Sequence, residues 1–294
     1  MHHDLAMTIT EFDGKVAVIT GGAAGIGRAM ARRFGSAGMK LVLADIETAV
    51  LDATVAEFQA EGIDTTGVVA DVSKRQDIER IAAVAMEAHG GIHLVCNNAG
   101  VSGGGLSWEV SEADWKWILE VDLWSVIHGV GVFTPLIEQS GGGHIVNTAS
   151  MAGVTSPPFM SPYNVAKHGV VALSESMFHE LAFLQSSVGV SVLCPGWVRT
   201  QIAHSERNRP TEGAHAAAGP EPEDLGEDGP AAIFRSLVDD GIDPAAVADL
   251  VFDAVSNGRF YVLTHPAWNE MVRRNTEIML AGDNPVFSFG DASN

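Results

Sequence analysis

Short apolar runs, many rich in β-branched residues, alternate along the chain with longer amphipathic stretches. Runs such as VAVIT at residues 16–20 are apolar at nearly every position, as expected of strands buried on both faces of a parallel sheet. The strands predicted in this way cover residues 16–20, 40–44, 66–70, 92–96, 144–148, 188–194 and 260–263. The helices predicted around them cover residues 25–37, 48–61, 74–89, 112–139, 162–185 and 244–256.

This alternation predicts an α/β fold in one domain, residues 1–294. We expect a Rossmann-like, doubly wound parallel sheet of about seven strands, with helices on both faces. Ligands of such sheets bind at the carboxyl ends of the strands, so candidate chemistry should directly follow each strand.

Two segments depart from this pattern. Residues 204–230 are rich in Ala, Gly, Pro and acidic residues and hold almost no large apolar side chain. We predict that residues 201–235 form a mobile lid over the substrate, the alternative being a surface insertion without a role. Residues 282–294 form a C-terminal tail of similar composition.

The charge balance is strongly acidic, with 17 basic and 37 acidic residues and a formal net charge of -20. Because 46% of the residues are apolar, the chain as a whole is not expected to be disordered. The shortage of cations argues against nucleic acid and anionic membranes as partners. No uninterrupted apolar run of about 18 residues and no signal-peptide pattern is present, which predicts a cytoplasmic protein.

Cysteine and histidine give no sign of a disulfide framework or a metal centre. Cys96 and Cys194 both lie in predicted strands and are expected to be buried thiols. His179 begins a His-Glu pair, but Phe183 stands where a zinc motif requires its second histidine. We therefore predict no metal site.

A glycine-rich turn, TGGAAGIG at residues 20–27, follows the first strand and opens the first helix. Such a turn brings backbone N–H groups and a helix N-terminus close to a ligand phosphate. By itself it could be a tight turn only, but its place between strand and helix favours a dinucleotide. The candidate residues are Gly21, Ala24, Gly25, Ile26 and Gly27.

Asp45 ends the second strand 18 residues after Gly27, close to the roughly 20-residue offset expected of an acid that binds the adenosine ribose. A carboxylate there would repel the 2′-phosphate of NADP, and Ile46 rather than a basic residue follows it. The predicted cofactor is therefore NAD. The alternative is that Asp45 only caps the next helix.

Tyr163 and Lys167 stand four residues apart on a predicted helix and therefore share one face. A free phenol, with a pKa of about 10, is a poor base at neutral pH, but a neighbouring ammonium favours the phenolate. We expect the lysine to move the phenol pKa toward the working range. Taken alone, the pair could also be an ordinary surface pair.

Other motifs occur in order around this pair: Asn98-Ala99-Gly100 after the fourth strand, Ser150 after the fifth and Pro195-Gly196 after the sixth. With them, most of residues 12–265 resembles the short-chain dehydrogenase/reductase family. The resemblance implies that Tyr163 is the acid/base, that Lys167 binds the nicotinamide ribose and lowers the tyrosine pKa, and that Ser150 holds the substrate oxygen. It further implies cofactor contacts at Asp71, Val72, Asn98, Ala99, Gly100, Pro195, Gly196, Val198 and Thr200.

One position departs from the family pattern. The fourth catalytic residue of the family is usually Asn, but Asp122 occupies that place in Val121-Asp122-Leu123. We include Asp122 among the catalytic residues, because its backbone could act as the asparagine does. A second carboxylate near Lys167 could instead hold that lysine charged, or the residue could serve only to shape its helix.

The reaction implied is hydride transfer between NAD and a secondary alcohol or ketone. The pocket residues expected from their places after the strands are Val101, Ser102, Met151, Ala152, Pro157, Phe159 and Trp197. This mostly apolar set favours a hydrophobic substrate, although Arg199 lies near enough to weaken the case against an anionic one.

Two alternatives stay open: an NADPH-dependent 3-ketoacyl reductase of the same family, and a regulator that binds NAD without turnover. The resemblance also implies a homo-oligomer, a tetramer or a dimer, formed through the helices predicted at residues 112–139 and 162–185.

Overall fold

The sheet contains seven strands, all parallel, in the computed structural model, which describes residues 8–210 and 229–286. The strands are β1 (Val16–Thr20), β2 (Lys40–Asp45), β3 (Thr65–Val69), β4 (Leu94–Asn97), β5 (Gly143–Thr148), β6 (Val188–Cys194) and β7 (Tyr261–Leu263). Their order is β3-β2-β1-β4-β5-β6-β7, so the chain reverses direction across the sheet between β1 and β4. The predicted fold class is confirmed, and every predicted strand is present with ends within two residues.

Helices cover both faces of this sheet. The α-helices of the described residues are α1 (Gly25–Gly35), α2 (Thr48–Ala60), α3 (Arg75–His89), α4 (Glu112–Leu119), α5 (Ser125–Gln139), α6 (Ser161–Leu184), α7 (Pro230–Asp239), α8 (Pro244–Asn257) and α9 (Asn269–Ala281), of which α1, α2, α3, α5, α6 and α8 pack on the sheet. Successive strand residues point to opposite faces. Ala17 and Ile19 accordingly pack with α1, α2 and α8, whereas Val16 and Val18 pack with α3, α5 and α6. Burial on both faces explains why the strand sequences are apolar throughout.

The predicted helix over residues 112–139 is interrupted in its middle. A π-helical turn, Glu120–Trp124, separates α4 from α5 and carries Asp122, whose side chain is fully buried. By length and composition alone the stretch Glu112–Gln139 is apolar enough to cross a membrane. In this fold, however, α4 packs against α6 and α5 packs against α3.

The end of the chain holds more helix than the hydrophobic pattern indicated. A 3₁₀ helix, Ile202–Asn208, lies where the lid was predicted, and α7 and α9 were not among the predicted elements. The proposed mobility of the lid and the nature of the tail stay predictions for residues 211–228 and 287–294, which lie outside the described residues. Cys96 and Cys194 are both free and buried, as expected.

Candidate active site

A cleft of about 1840 Å³ opens along the carboxyl ends of the strands. Residues from the loops after β1, β2, β3, β4, β5 and β6 line it, as the fold rule predicts. All of the site residues expected from the sequence contribute to its wall except Gly27 and Asp122, which lie behind it. The structure therefore brings the expected cofactor, catalytic and pocket residues into one cavity.

The glycine-rich turn holds the N-terminus of α1 open toward this cleft. A Cβ at Gly27 would lie 2.0 Å from the carbonyl oxygen of Gly21, so only glycine fits where helix and turn touch. Gly25 has a φ of +52°, and a Cβ there would crowd the Thr200 side chain at 3.1 Å. The first turn of α1 has no acidic residue and no side-chain cap. Its N–H groups are suited to an anion such as a pyrophosphate.

Asp45 has both a structural and a cleft-facing role at the end of β2. Its Oδ2 accepts a hydrogen bond from Ala23 N at 3.1 Å, and its Oδ1 accepts one from Glu47 N at 3.1 Å. The carboxylate thus ties the glycine-rich turn to the start of α2 and still lines the cleft. Burial raises the pKa of Asp45, and the backbone N–H donors oppose that rise. Asp45 therefore bonds the residue before α2 rather than the first turn of that helix, and its carboxylate remains in the wall of the cleft.

Tyr163 and Lys167 lie side by side on α6 at the inner end of the cleft. Both side chains are buried, and the Lys167 ammonium lies 5.4 Å from the centre of the Tyr163 ring. Lys167 Nζ donates a hydrogen bond to the carbonyl oxygen of Thr148 at 3.2 Å. Ser150, just after β5, lies within hydrogen-bond reach of Tyr163 and lowers its pKa. The three residues therefore form one cluster, and the pair is not a surface pair.

Asp122 approaches this cluster from behind. Its Oδ2 lies 3.3 Å from Lys167 Nζ, and its Oδ1 accepts a hydrogen bond from Val101 N at 2.8 Å. Burial lowers the pKa of Lys167, but the Asp122 carboxylate and Tyr163 outweigh burial, and the pKa lies above its ordinary value. The lysine is consequently held charged, as the sequence suggested a second carboxylate would do.

The phenol differs from the expectation. Burial raises the pKa of Tyr163, the Asp122 charge raises it further, and the Lys167 ammonium and Ser150 only partly oppose this. Lys167 therefore acts in the expected direction without bringing the phenol below its ordinary pKa. The sequence revealed the ammonium, whereas the cost of burying a phenolate depends on packing that only the fold shows.

Aromatic side chains from the end of the chain complete the outer wall. Trp197 packs edge-to-face on Phe234 at 5.6 Å and on Trp268 at 5.9 Å between ring centroids. The His265 ring packs against Trp268 at a tilt, with 4.9 Å between ring centroids, and burial lowers the pKa of His265, which favours the neutral ring. The sequence analysis missed Phe234, His265 and Trp268. The last two follow β7, so the rule that chemistry follows each strand could have found them.

Phe159 stands at the mouth of the cleft in a strained conformation. Its φ is +64°, unusual for a bulky residue, and its carbonyl oxygen accepts a hydrogen bond from Gly105 N at 2.8 Å. Phe159 as a whole residue is 44% exposed. Such strain persists only where surrounding contacts hold it, and it is common at ligand sites.

Within residues 8–210 and 229–286, acidic side chains pair with two of the three arginines that line the cleft. Arg207 pairs with Glu47 at 2.7 Å and Arg209 with Asp114 at 2.8 Å, while Arg235 on α7 is the third. Arg199, named as a possible anion partner, is not part of the cleft wall and pairs with Asp243 at 2.8 Å.

Comparison with known proteins agrees with this geometry. Residues 15–211 match the family described as short chain dehydrogenase. The structure of a short-chain dehydrogenase/reductase from Burkholderia phymatum, solved in complex with NAD, superposes on this chain with a TM-score of 0.91 and 44% sequence identity. The match covers 96% of this chain and 100% of that chain. The CLA biosynthesis dehydrogenase/reductase of Lactiplantibacillus plantarum is 31% identical over 281 residues, 94% of this chain and 96% of the relative. The 1-deoxy-11-beta-hydroxypentalenate dehydrogenase of Streptomyces exfoliatus is 33% identical over 254 residues, 85% and 83% of the two chains.

The matched region includes the glycine-rich turn, Ser150, Tyr163 and Lys167, the residues on which the resemblance was first based. The chain belongs to the short-chain dehydrogenase/reductase family and is an oxidoreductase that acts on alcohols and ketones.

Proposed function

We propose that this protein is an NAD-dependent dehydrogenase that interconverts a hydrophobic secondary alcohol and its ketone. The observation that carries the proposal is the cluster of buried Tyr163 and Lys167 with half-buried Ser150, at the inner end of the cleft that the glycine-rich turn also lines.

NAD fits the residues that line the other end of the cleft. The open N-terminus of α1 suits the pyrophosphate, and the Asp45 carboxylate suits the ribose hydroxyls and disfavours a 2′-phosphate. The NAD-bound relative supports the same choice. The residues proposed to hold the cofactor are Gly21, Ala24, Gly25, Ile26, Asp45, Ile46, Asp71, Val72, Asn98, Ala99, Gly100, Tyr163, Lys167, Pro195, Gly196, Val198 and Thr200. Gly27 acts by permitting the turn to close on the helix.

NAD, when bound, supplies the hydride acceptor in the oxidising direction. Tyr163 takes the proton of the substrate hydroxyl, and Ser150 holds the same oxygen by a hydrogen bond. Lys167 binds the nicotinamide ribose, and its positive charge stabilises the phenolate as it forms. The reverse direction uses the same groups, with Tyr163 giving the proton to the carbonyl oxygen.

Asp122 is proposed as a positioning residue. It does not reach the cleft wall, so it acts on the reaction through Lys167 and through the backbone of Val101. The π-helical turn that carries it is a deviation often associated with functional sites.

The substrate is proposed to be apolar and bulky. Trp197, Phe234 and Trp268 present aromatic surface, and the paired states of Arg207 and Arg209 leave them poorly suited to a substrate carboxylate. The pocket residues expected from the sequence, Val101, Ser102, Met151, Ala152, Pro157 and Phe159, line the same cavity.

We also propose a cytoplasmic homo-oligomer, a tetramer or a dimer. Large apolar side chains stay exposed on the chain: Trp124 is 49%, Val165 50%, Phe183 87% and Leu184 70% exposed. Trp124 ends the π-helical turn, and the other three lie on α6. Apolar surface of this kind is typical of subunit contacts.

The test is reduction of NAD and of NADP, followed by nicotinamide absorbance, over a panel of secondary alcohols that includes bulky aromatic, small and carboxylate-bearing members. NAD-selective turnover of bulky neutral alcohols is expected. With a 3-hydroxyacyl thioester added to the panel, selectivity for NADP and for that thioester would favour the ketoacyl reductase. NADH binding without any turnover would favour the regulator. Preference for carboxylate-bearing alcohols would contradict the apolar pocket and assign Arg235 to the substrate.

A further inference from the structure

We propose that Glu47 and Arg207 form a latch across the cofactor groove and set the rate at which the dinucleotide leaves. This inference rests on the proposed function, because it assumes that NAD occupies the groove. Neither Glu47 nor Arg207 is among the cofactor-binding residues predicted from the sequence.

The 3₁₀ segment Ile202–Asn208 is attached on both sides of the groove. On the β4 side, Ser102 N donates a hydrogen bond to Ser205 Oγ at 3.0 Å, and Ser102 Oγ donates one to the carbonyl oxygen of Ile202 at 3.3 Å. On the β2 side, the segment meets Glu47, the residue that precedes α2. Since β1 lies between β2 and β4, the segment crosses above the end of β1, where the glycine-rich turn begins.

On the β2 side, one carboxylate oxygen of Glu47 accepts hydrogen bonds from two side chains of the 3₁₀ segment. Arg207 Nη2 donates to Glu47 Oε1 at 2.7 Å and Arg207 Nε at 3.1 Å, and Asn208 Nδ2 donates to the same oxygen at 3.1 Å. The hydrogen bond from Arg207 lowers the pKa of Glu47, so the carboxylate is ionised in the pair at neutral pH. All three residues line the cleft.

Arg207 is fixed to its own segment as well. Its Nη1 donates to the carbonyl oxygens of Gln201 at 3.0 Å and His204 at 2.8 Å. The guanidinium therefore moves with the 3₁₀ segment and is already oriented toward Glu47. Opening the groove on this side requires breaking the contacts with Glu47 and leaves the rest of the segment intact.

The exposure of the pair fits a contact that opens and closes. The Arg207 side chain is 37% exposed and that of Glu47 is 26% exposed, so water and salt ions reach both groups. Such a pair is weak enough to break on each turnover, and its strength falls as ionic strength rises. A buried pair such as that of Asp122 and Lys167 would not serve this purpose.

The experiment measures NADH dissociation by stopped-flow fluorescence, in which bound NADH is displaced by excess NAD. The full-length wild type is compared with Glu47→Gln, Arg207→Gln and the double variant. Arg33→Gln is the matched control, because Arg33 forms another partly exposed long-range pair, with Asp249 at 2.8 Å, and does not line the cleft. Thermal melting of each variant verifies folding.

Each single latch variant is expected to release NADH about threefold to tenfold faster, given the range for partly exposed pairs with several hydrogen bonds. The double variant should be no faster than the faster single one, since both changes break one contact. Raising the salt concentration should speed release from the wild type more than from Glu47→Gln. The control should match the wild type.

Wild-type release rates in both single variants, or additive effects in the double variant, would overturn the latch while leaving NAD binding intact. Failure of the wild type to bind NADH at all would instead refute the proposed cofactor, and the latch with it. The two failures are therefore distinguishable in the same experiment.

Discussion

Replacing Asp122 by asparagine removes the carboxylate that lies 3.3 Å from Lys167 Nζ while keeping an oxygen to accept the hydrogen bond from Val101 N. In the wild type the Asp122 carboxylate offsets part of the effect that the Lys167 ammonium has on the pKa of Tyr163. In Asp122→Asn the ammonium is uncompensated and stabilises the phenolate. The tyrosine pKa should fall, and alcohol oxidation should reach its plateau at lower pH.

The distance sets the scale of the effect. Asp122 Oδ2 lies 3.3 Å from Lys167 Nζ, which lies 5.4 Å from the centre of the Tyr163 ring, so the carboxylate is within about 9 Å of that ring. A unit charge at about 9 Å acts on a phenolate by about 2 kcal/mol at an effective dielectric constant of 20, which corresponds to roughly one pH unit. Because a buried ammonium then lacks its partner, the variant should also lose about 3 kcal/mol of unfolding free energy.

The assay is the pH profile of kcat/KM for alcohol oxidation, with Glu112→Gln as the control because Glu112 is an exposed acid on the same helical stretch. The acid limb of the Asp122→Asn profile should move to lower pH by about one unit, and the acid limb of the control profile should stay in place. An unchanged limb would show that Asp122 has no electrostatic effect on the phenol. An upward shift would show that Lys167 loses its proton when the carboxylate is removed.

Three further changes test other parts of the site. Asp45→Asn keeps a hydrogen-bond acceptor but loses the charge, so the ratio of kcat/KM with NADP to kcat/KM with NAD should rise about tenfold. An unchanged ratio would leave Asp45 with a structural role only. Gly27→Ala places a methyl group against the Gly21 carbonyl and should abolish NADH binding in a fluorescence titration. Binding at wild-type affinity would contradict the packing described for the turn. Trp268→Ala should raise KM about tenfold for bulky secondary alcohols and little for small ones, because only the bulky alcohols lose apolar contact area. Equal effects on both kinds of alcohol would place Trp268 outside the substrate pocket.

The strands were predictable because their burial on both faces makes each one an apolar run. The catalytic cluster was predictable because its members lie at fixed offsets from strand ends and share one helix face, as Tyr163 and Lys167 do. Spacing alone could not show that burial raises the tyrosine pKa, since that depends on how completely the fold removes water from the phenol.

Features held by polar or long-range contacts were harder to predict. Helix α9 has no buried residue, and Arg273 pairs with Glu270 and Glu277 along its surface, so it lacks a strong apolar stripe. The apolar pattern of residues 112–139 continues through the π-helical turn at Asp122, so it predicted one uninterrupted helix. The contact between Glu47 and Arg207 joins residues 160 positions apart, and only the path of the loop after β6 brings them together.

Turnover by Tyr163→Phe tests the proposed acid/base role most directly. Tyr261→Phe is the matched control, because Tyr261 is the only other tyrosine, lies on β7 and bonds Glu175 outside the cleft. The proposed mechanism predicts that Tyr163→Phe loses about 10²–10⁴-fold in kcat for NAD-dependent alcohol oxidation, retains NADH affinity and leaves the control unaffected. A Tyr163→Phe enzyme that turns over at nearly the wild-type rate would contradict it.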